Sequence, residues 1–196
     1  MPSTAPPVAP PALHAPASPA AAPAPAAPEP APRAETAAAR LVVESPLGRI
    51  LLVGDDDAVT LLEIEAATGF RAGEAPDAPN AVLELAAAQL REYFAGERRE
   101  FDVPVRLTGT AFQRAIWAEL DSIPFGEVRS YGELGRATGR ATAGRAVGGA
   151  VGANPVPLIV PCHRVLASDR RITGYSAGLG VPTKVWLLDH EGIAHR

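Results

Sequence analysis

The sequence predicts an α+β fold, in which a small sheet and one helix precede a mostly helical C-terminal half that contains a helix-turn-helix. Short β-type segments separated by turns lie between residues 40 and 65, and capped helical patterns follow from residue 79 onward. Residues 1–39 are almost only Ala and Pro, which predicts a disordered tail because such a segment has no apolar face to bury. We therefore expect a tail at 1–39, an α+β domain at 40–103 and a second domain at 104–196.

The α+β domain is predicted to begin with a β-hairpin. Apolar residues 41–44 and 49–53 flank the turn Ser45-Pro46-Leu47-Gly48, and a third strand is expected near 59–65. Residues 79–94 then carry apolar side chains at helical spacing, with Gly96 placed to end the helix. The expected core-facing positions of this helix are Val82, Leu85, Ala86, Leu90, Tyr93 and Phe94. The acidic surface of the domain and its lack of clustered His, Cys or Ser favour a supporting role over a catalytic one.

The second domain is predicted to open and close with longer helices. Thr108 or Thr110 is expected to cap the first of them. Its apolar positions at helical spacing are Phe112, Ala115, Ile116, Leu120 and Ile123. A last helix is expected from Pro182 through His190, with Gly192 beyond its end, because proline fits the first turn of a helix.

Two short helices are predicted between these two longer helices. Ser130, with Glu133 three residues later, has the spacing of a capping box, which predicts a helix from Tyr131 to about Ala137. Thr142 can cap a second helix over residues 143–152. A tight turn that contains glycine joins the two, so that the pair is a helix-turn-helix candidate.

The net charge of −4 hides an asymmetry between the two predicted domains. Residues 40–103 hold six Arg against 13 acidic residues, whereas residues 104–196 hold 11 Arg and Lys against seven. A polyanion would therefore prefer the second domain. Two solvated surfaces of different acidity are an equally open interpretation of the same count.

Cysteine content and apolar runs limit the location of the protein and the kinds of site it can hold. Cys162 is the only cysteine, which excludes an internal disulfide and a Cys-rich zinc cluster. The chain has no aliphatic run long enough to predict a transmembrane helix, and its first residues lack the pattern of a secretory signal. We therefore expect a cytoplasmic protein without membrane contact, metal or cofactor.

The second helix of the helix-turn-helix candidate is rich in glycine. Residues 143–152 include four glycines, each of which costs roughly 1 kcal/mol relative to alanine. Small side chains let a helix backbone approach another surface closely, and that surface is either the protein core or the minor groove of DNA. Arg145 favours DNA, because a single guanidinium on a bare helix can enter a stacked duplex.

Cys162 is the candidate nucleophile. An isolated cysteine is often a small buried hydrophobic residue, and the adjacent His163 would point away from it if the segment were extended. Pro161 makes the residues that lead to Cys162 rigid. From the residues alone, His163 is either a base or a neutral core histidine, and Arg164 is as readily a surface cation.

The segment Pro161-Cys162-His163-Arg164-Val165 resembles the active-site signature of the O6-alkylguanine-DNA alkyltransferases. The resemblance covers essentially Thr108 to Ile193. It includes the motifs Phe125-Gly126-Glu127-Val128, Ser130-Tyr131, Arg145-Ala146-Val147-Gly148-Gly149-Ala150, Asn154-Pro155-Val156-Pro157, Gly174-Tyr175-Ser176 and Trp186-Leu187-Leu188-Asp189-His190-Glu191-Gly192. Ser45-Pro46-Leu47-Gly48 and Phe94-Ala95-Gly96-Glu97 resemble the N-terminal domain of the same family.

This resemblance implies a fold and an activity. The N-terminal domain would be ribonuclease H-like, and the C-terminal domain would be winged-helix-like. The protein would repair DNA by direct reversal, in one irreversible transfer of an alkyl group from O6-alkylguanine, or from O4-alkylthymine, to Cys162. The implied partner is double-stranded DNA, bound through its minor groove by a monomer that needs no cofactor.

The resemblance also implies catalytic roles. Cys162 would accept the alkyl group as a thiolate, His163 would act through a water molecule as the base, and Glu191 would orient the histidine. Asn154 would help to hold the geometry of the site. Tyr131 would lie near the target base and its backbone phosphate.

Further residues are implied to contact DNA and the flipped base. Arg145 would fill the place that the extruded nucleotide leaves in the stack. The other implied DNA contacts are Tyr131, Ala143, Gly148 and Gly149, and the implied pocket residues are Pro157, Val165, Tyr175, Ser176 and Ala177. Ala177 stands where other members have Gly or a bulky residue, which leaves the tolerated size of the alkyl group open.

Three other functions remain to be weighed against alkyl transfer. Some proteins of this fold bind alkylated bases without removing them, but they lack the reactive cysteine that stands in the intact Pro-Cys-His-Arg motif here. A transcriptional regulator would explain the helix-turn-helix, but the sequence has no sensor domain and no set of polar side chains to read the major groove. A cysteine hydrolase would need an oxyanion hole, which the sequence does not show.

Overall fold

The structure, a computed structural model, describes residues 38–74, 77–140 and 143–196. The predicted tail lies outside the described residues except for Ala38 and Ala39, and Ala39 already belongs to the first strand. Strands β1 (Ala39–Ser45), β2 (Gly48–Gly54) and β3 (Val59–Ile64) form an antiparallel sheet in the order β1-β2-β3. The predicted hairpin and third strand are therefore confirmed.

Helix α1 (Ala81–Phe94) follows the sheet and begins at Asn80, whose side chain accepts a hydrogen bond from the Leu83 amide. Its buried face is Leu83, Ala86, Ala87, Leu90 and Tyr93. The expectation that Leu85 faces the core is wrong, since 44% of this residue is exposed. Two residues correspond to a rotation of about 200° around a helix, so that burial of Leu83 turns Leu85 toward solvent.

Helix α2 (Ala111–Asp121) opens the C-terminal half. Thr110, rather than Thr108, caps it, and Gln113 completes a capping box that the sequence analysis did not predict. Ala115 is exposed, whereas Trp117 is buried and donates its indole N–H to the carbonyl of Ala150 at 2.8 Å. This bond fixes α2 against the helix-turn-helix.

The helix-turn-helix consists of α3 (Tyr131–Ala137) and α4 (Gly144–Gly152). Helix α3 has the predicted bounds and the predicted capping box between Ser130 and Glu133. Helix α4 begins one residue later than expected, with Ala143 at its N-cap and no side-chain cap. The predicted cap, Thr142, lies outside the described residues.

The segment around Cys162 is joined to the helix-turn-helix through a short parallel sheet. Residues Cys162–Arg164 form a single 3-10 turn that leads into β5 (Val165–Leu166). Strand β5 pairs in parallel with β4 (Arg129–Ser130), which runs directly into α3. The last helix, α5 (Val181–His190), contacts the 3-10 turn and begins one residue before the expected Pro182.

The fold class is mixed α+β, as predicted, with a small N-terminal sheet and a helical C-terminal half. One hydrophobic cluster combines residues from both predicted domains, among them Leu52 and Leu90 with Val156 and Leu187. The division at residues 103 and 104 stays a prediction. Among the described residues, none of the helices is long and apolar enough to cross a membrane.

The turn of the helix-turn-helix depends on a close approach at Gly135. A β-carbon there would lie 2.9 Å from the carbonyl oxygen of Arg140, whereas one at Gly149 would meet nothing within 4 Å. We expect Gly135→Ala to lower the free energy of unfolding by about 1–3 kcal/mol, because the turn must shift. The matched variant Gly149→Ala should raise it by up to about 1 kcal/mol, because alanine favours a helix. Urea unfolding measures both, and equal changes would contradict the packing described for the turn.

Candidate active site

Cys162 lies at the start of the 3-10 turn, and 4% of the residue is exposed. Its side chain lines a cavity of about 450 Å³, a volume in the range of roughly 300–1,000 Å³ that small-molecule sites usually have. The cavity is lined by residues of α3, α4, the segment 173–176 and α5. Its lining residues are Tyr131, Gly144, Gly148, Val151, Gly152, Cys162, Thr173, Gly174, Tyr175, Ser176 and Lys184.

His163 and Glu191 form a buried pair next to Cys162. The Nε2 atom of His163 lies 2.8 Å from Oε1 of Glu191. Because an ionised carboxylate only accepts hydrogen bonds, the proton of the neutral imidazole is on Nε2, and Nδ1 is an acceptor. Nδ1 is buried and has no hydrogen-bond partner in the part of the chain that the structure describes. Cys162 and His163 would point apart if the segment were extended, but they lie in a 3-10 turn, so this objection does not apply.

Glu191 accepts hydrogen bonds from several parts of the chain. Arg164 donates to both of its carboxylate oxygens, from Nε at 2.8 Å and from Nη2 at 2.9 Å. The hydroxyl of Tyr93 donates to Oε1 at 2.8 Å, and the amide of Gly126 donates to Oε2 at 3.3 Å. Arg164 is buried, so its interpretation as a surface cation is wrong.

Burial and hydrogen bonds together set the protonation states of these groups. It raises the pKa of the Cys162 thiol, although hydrogen bonds from Asn154 and Tyr175 act in the opposite direction. Burial likewise lowers the pKa of His163 more than Glu191 raises it, which keeps the imidazole neutral at pH 7. Burial would raise the pKa of Glu191, but hydrogen bonds from His163 and Arg164 outweigh it, and this pKa lies below its usual value. The resting site is therefore a thiol, a neutral imidazole and a carboxylate.

Asn154 holds the segment that leads to Cys162. Its Nδ2 donates to the carbonyl of Val160 at 2.7 Å, and its Oδ1 accepts from the amide of Val156 at 3.1 Å. These two bonds close the loop before Pro161. On the other side of the thiol, the Tyr175 hydroxyl lies 4.0 Å from Sγ.

Lys184 is a site residue that the sequence analysis missed. It is 1% exposed and lines the cavity together with Cys162. Its Nζ donates at 2.5 Å to the carbonyl of Val165, one of the implied pocket residues. Burial lowers the pKa of Lys184 to about 8. The sequence signal that could have indicated this residue is a single lysine among the apolar residues of α5.

The residues expected to contact DNA do not all reach the cavity. Tyr131 and Gly148 line it, and a β-carbon at Gly148 would lie 4.0 Å from Cε1 of Tyr131. Arg145 and Gly149 are on the exposed side of α4, and Ala143 is half-buried at its N-cap. Arg145 has no ion pair within the described residues.

The remaining pocket residues are divided between two cavities. Ser176 lines both, and its Oγ donates to the carbonyl of Gly152 at 2.9 Å. Pro157 and Ala177 line a smaller cavity of about 160 Å³ that also reaches Cys162. Val165 is fully buried and reaches neither with its side chain. Within the described ranges, no group of three or more His, Cys, Asp or Glu side chains could hold a metal ion.

Two family models match the sequence over most of its length. The model of the 6-O-methylguanine DNA methyltransferase ribonuclease-like domain matches residues 40–107, and that of the DNA binding domain of the same family matches residues 111–193. The chain belongs to this methyltransferase family. The resemblance found on the sequence motifs is thereby confirmed.

Individual methyltransferases of this family resemble the chain closely. The methylated-DNA--protein-cysteine methyltransferase of Methanosarcina acetivorans is 42% identical over 154 residues, which are 77% of this chain and 96% of the relative. The constitutive enzyme of that name from Bacillus subtilis is 39% identical, over 78% of this chain and 94% of its own. The crystal structure of Mycobacterium tuberculosis OGT in complex with DNA is 43% identical with a TM-score of 0.68, and covers 76% of this chain and 90% of that one.

Loss of Glu191 should be far more costly than loss of a surface carboxylate. Glu191→Ala leaves buried Arg164 and His163 without their acceptor, and we expect the free energy of unfolding to fall by about 3–5 kcal/mol. Glu119→Ala is the matched control, because Glu119 pairs with Arg129 at 2.6 Å near the surface, and it should cost less than about 1 kcal/mol. Denaturant unfolding of both variants checks this, and similar small losses would show that Glu191 is not needed to hold the site.

Proposed function

We propose that the protein repairs alkylated DNA by direct reversal, moving the alkyl group of O6-alkylguanine irreversibly onto Cys162. The observation that carries the proposal is the position of Cys162 in a cavity beside a buried His163–Glu191 pair whose Nδ1 has no protein partner among the described residues. Methylated-DNA--protein-cysteine methyltransferases at 42% and 39% identity support it. We also propose O4-alkylthymine as a second substrate, action as a monomer, and a location in the reducing cytoplasm, which keeps a thiol free.

The chemistry begins with removal of the thiol proton. A water molecule between Sγ and Nδ1 of His163 can carry this proton to the imidazole, while Glu191 stabilises the positive charge that forms. The thiolate then attacks the alkyl carbon. The C–S bond forms as the C–O bond breaks, and guanine leaves as an anion. Burial raises the pKa of Tyr175, so that its hydroxyl keeps a proton and can donate a hydrogen bond to the departing base.

The buried position of Cys162 requires that the target nucleotide leave the duplex, at a cost of a few kcal/mol. Helix α4 is suited to support such a state. It buries Val147, Ala150 and Val151, whereas Gly144 and Gly149 are exposed, with nothing within 4 Å of a β-carbon at either. Packing in the core therefore does not explain these two glycines. We propose that they let α4 approach the minor groove and that Arg145 replaces the extruded base in the stack.

The other functions fit the site less well. A protein that only binds alkylated bases has no use for a cysteine thiol in the cavity next to a buried histidine–carboxylate pair. A regulator does not require a cavity that ends at a cysteine. The family models and relatives that match the chain are methyltransferases and not cysteine hydrolases.

The proposal makes a stoichiometric prediction. Each chain should accept one alkyl group and then stop, because Cys162 is the only cysteine and no second thiol can remove the group. An excess of oligonucleotide with labelled O6-methylguanine, titrated against a known amount of protein, should give a plateau near one repaired base per chain. Peptide mass spectrometry should place the label on Cys162.

Cys162→Ser provides the control. The hydroxyl is similar in size but much less acidic than the thiol, so transfer should be abolished while DNA affinity is kept. Repair that continues linearly through many equivalents, or that survives in this variant, would overturn the proposed function.

Arg145 should matter only when a duplex must be opened. We expect Arg145→Ala to slow repair of duplex DNA by at least about tenfold, because the extruded nucleotide loses its replacement in the stack, while reaction with the free base O6-methylguanine changes little. Arg91→Ala, which removes an exposed arginine from α1, should affect neither reaction. Quenched time courses with each substrate measure the rates of alkyl transfer. Equal losses on duplex and free base would mean that Arg145 serves the pocket or the fold instead.

A further inference from the structure

The hydroxyl of Tyr93 lies at the inner end of the buried His163–Glu191 pair. Tyr93 belongs to α1, in the region that the ribonuclease-like family model matches, and is 98 residues from Glu191 in the sequence. Its side chain is completely buried, and the hydroxyl donates to Oε1 of Glu191 at 2.8 Å. A residue of the segment predicted to be only a support therefore contacts a group of the active site.

The oxygen that Tyr93 contacts is the one that faces His163. Oε1 of Glu191 accepts from Tyr93, from Nε2 of His163 at 2.8 Å and from Nη2 of Arg164 at 2.9 Å. Donors that share one carboxylate oxygen divide its negative charge between them. The strength of the bond from Glu191 to His163 therefore depends on whether the Tyr93 hydroxyl is present.

The end of α1 also contacts His190, the residue that precedes Glu191 in the sequence. The Nε2 atom of His190 lies 2.8 Å from the backbone carbonyl of Tyr93, and the two rings meet edge to face with centroids 5.0 Å apart. Trp186 stacks on the same His190 ring at 4.9 Å. On its other sides, the Tyr93 ring contacts Phe101 at 5.4 Å and Phe125 at 6.2 Å. These contacts hold the ring that carries the hydroxyl.

We propose that Tyr93 is a positioning residue for alkyl transfer, which fixes Glu191 through its hydroxyl and limits the negative charge that this carboxylate presents to His163. The inference rests on the proposed function, since it assigns to Tyr93 a part in the deprotonation of Cys162. It also gives the N-terminal half a role in the reaction without contact to DNA or to the thiol.

The charged and titratable groups around His163 determine the direction of the effect. Glu191 favours the imidazolium, whereas Arg164 and Lys184 disfavour it. Burial, and then Glu191, raise the pKa of Tyr93 above its usual value, so that the hydroxyl keeps its proton. Removal of this donor concentrates charge on Oε1, which strengthens the bond from His163 and raises the pKa of the imidazole.

Tyr93→Phe tests the inference, because it removes one oxygen and keeps the ring. In protein without DNA, the Nε2–H proton of His163 should move downfield in the NMR spectrum at pH 7, the resonance being assigned by its loss in His163→Gln. The rate of methyl transfer should fall on acidification at a pH higher by about 0.5–1 unit than in the unsubstituted protein, because a hydrogen bond to a charged group is worth roughly 1.5–3 kcal/mol, of which His163 receives a part.

Phe101→Leu is the matched control, because it loosens the packing of the same ring and leaves the hydroxyl in place. It should change neither the resonance nor the pH profile. An unchanged resonance or pH profile in Tyr93→Phe overturns the inference, as does an equal change in Phe101→Leu. Because the NMR measurement needs no DNA, and because the stoichiometry of the unsubstituted protein is measured separately, failure of this inference is distinguishable from failure of the proposed function.

Discussion

The buried carboxylate of Glu191 is the group on which the active site depends. A buried charge is tolerated only when hydrogen-bond donors surround it, and here the donors come from the 3-10 turn, from the loop at Gly126 and from α1. Meeting this requirement brings together segments that are far apart in the sequence. Glu191 also fixes the orientation of His163, the proposed base, so that the buried carboxylate both joins these segments and positions the imidazole.

In the proposed function, the pair of His163 and Glu191 activates the Cys162 thiol, which is not an anion in the resting protein. Burial favours the neutral forms of both Cys162 and His163, while Glu191 stays ionised. In the proposed mechanism, the proton leaves the sulfur as the imidazole becomes charged, next to a carboxylate already in place to stabilise that charge. Lys184, whose pKa burial lowers to about 8, adds a cation beside the same sulfur.

Local signals in the sequence predicted much of the fold. The features that they did not predict depend on contacts between residues far apart in the chain. The Ser130–Glu133 capping box predicts α3 to the residue because both partners lie within one turn. The apolar pattern of α1 contains two overlapping stripes, and periodicity alone did not show that Leu85 belongs to the exposed one. The proposed roles of Cys162, His163 and Glu191 were predicted from the resemblance of the motifs. Burial of Arg164 and Lys184 and the reach of Tyr93 depend on distant acceptors, which no local pattern contains.

The placement of the indole rings gives the protein two internal optical probes. The chain has only two tryptophans. Trp117 donates a hydrogen bond to the Ala150 carbonyl on the buried face of α4, opposite the exposed face proposed to meet DNA, and Trp186 is stacked on His190, beside the residues that hold Glu191. The emission of an indole responds to its hydrogen bond and to a charged ring against its face. Movement of the helix-turn-helix and rearrangement of the ring stack beside Glu191 can therefore be followed separately by fluorescence, in variants that keep one tryptophan each and carry no added dye.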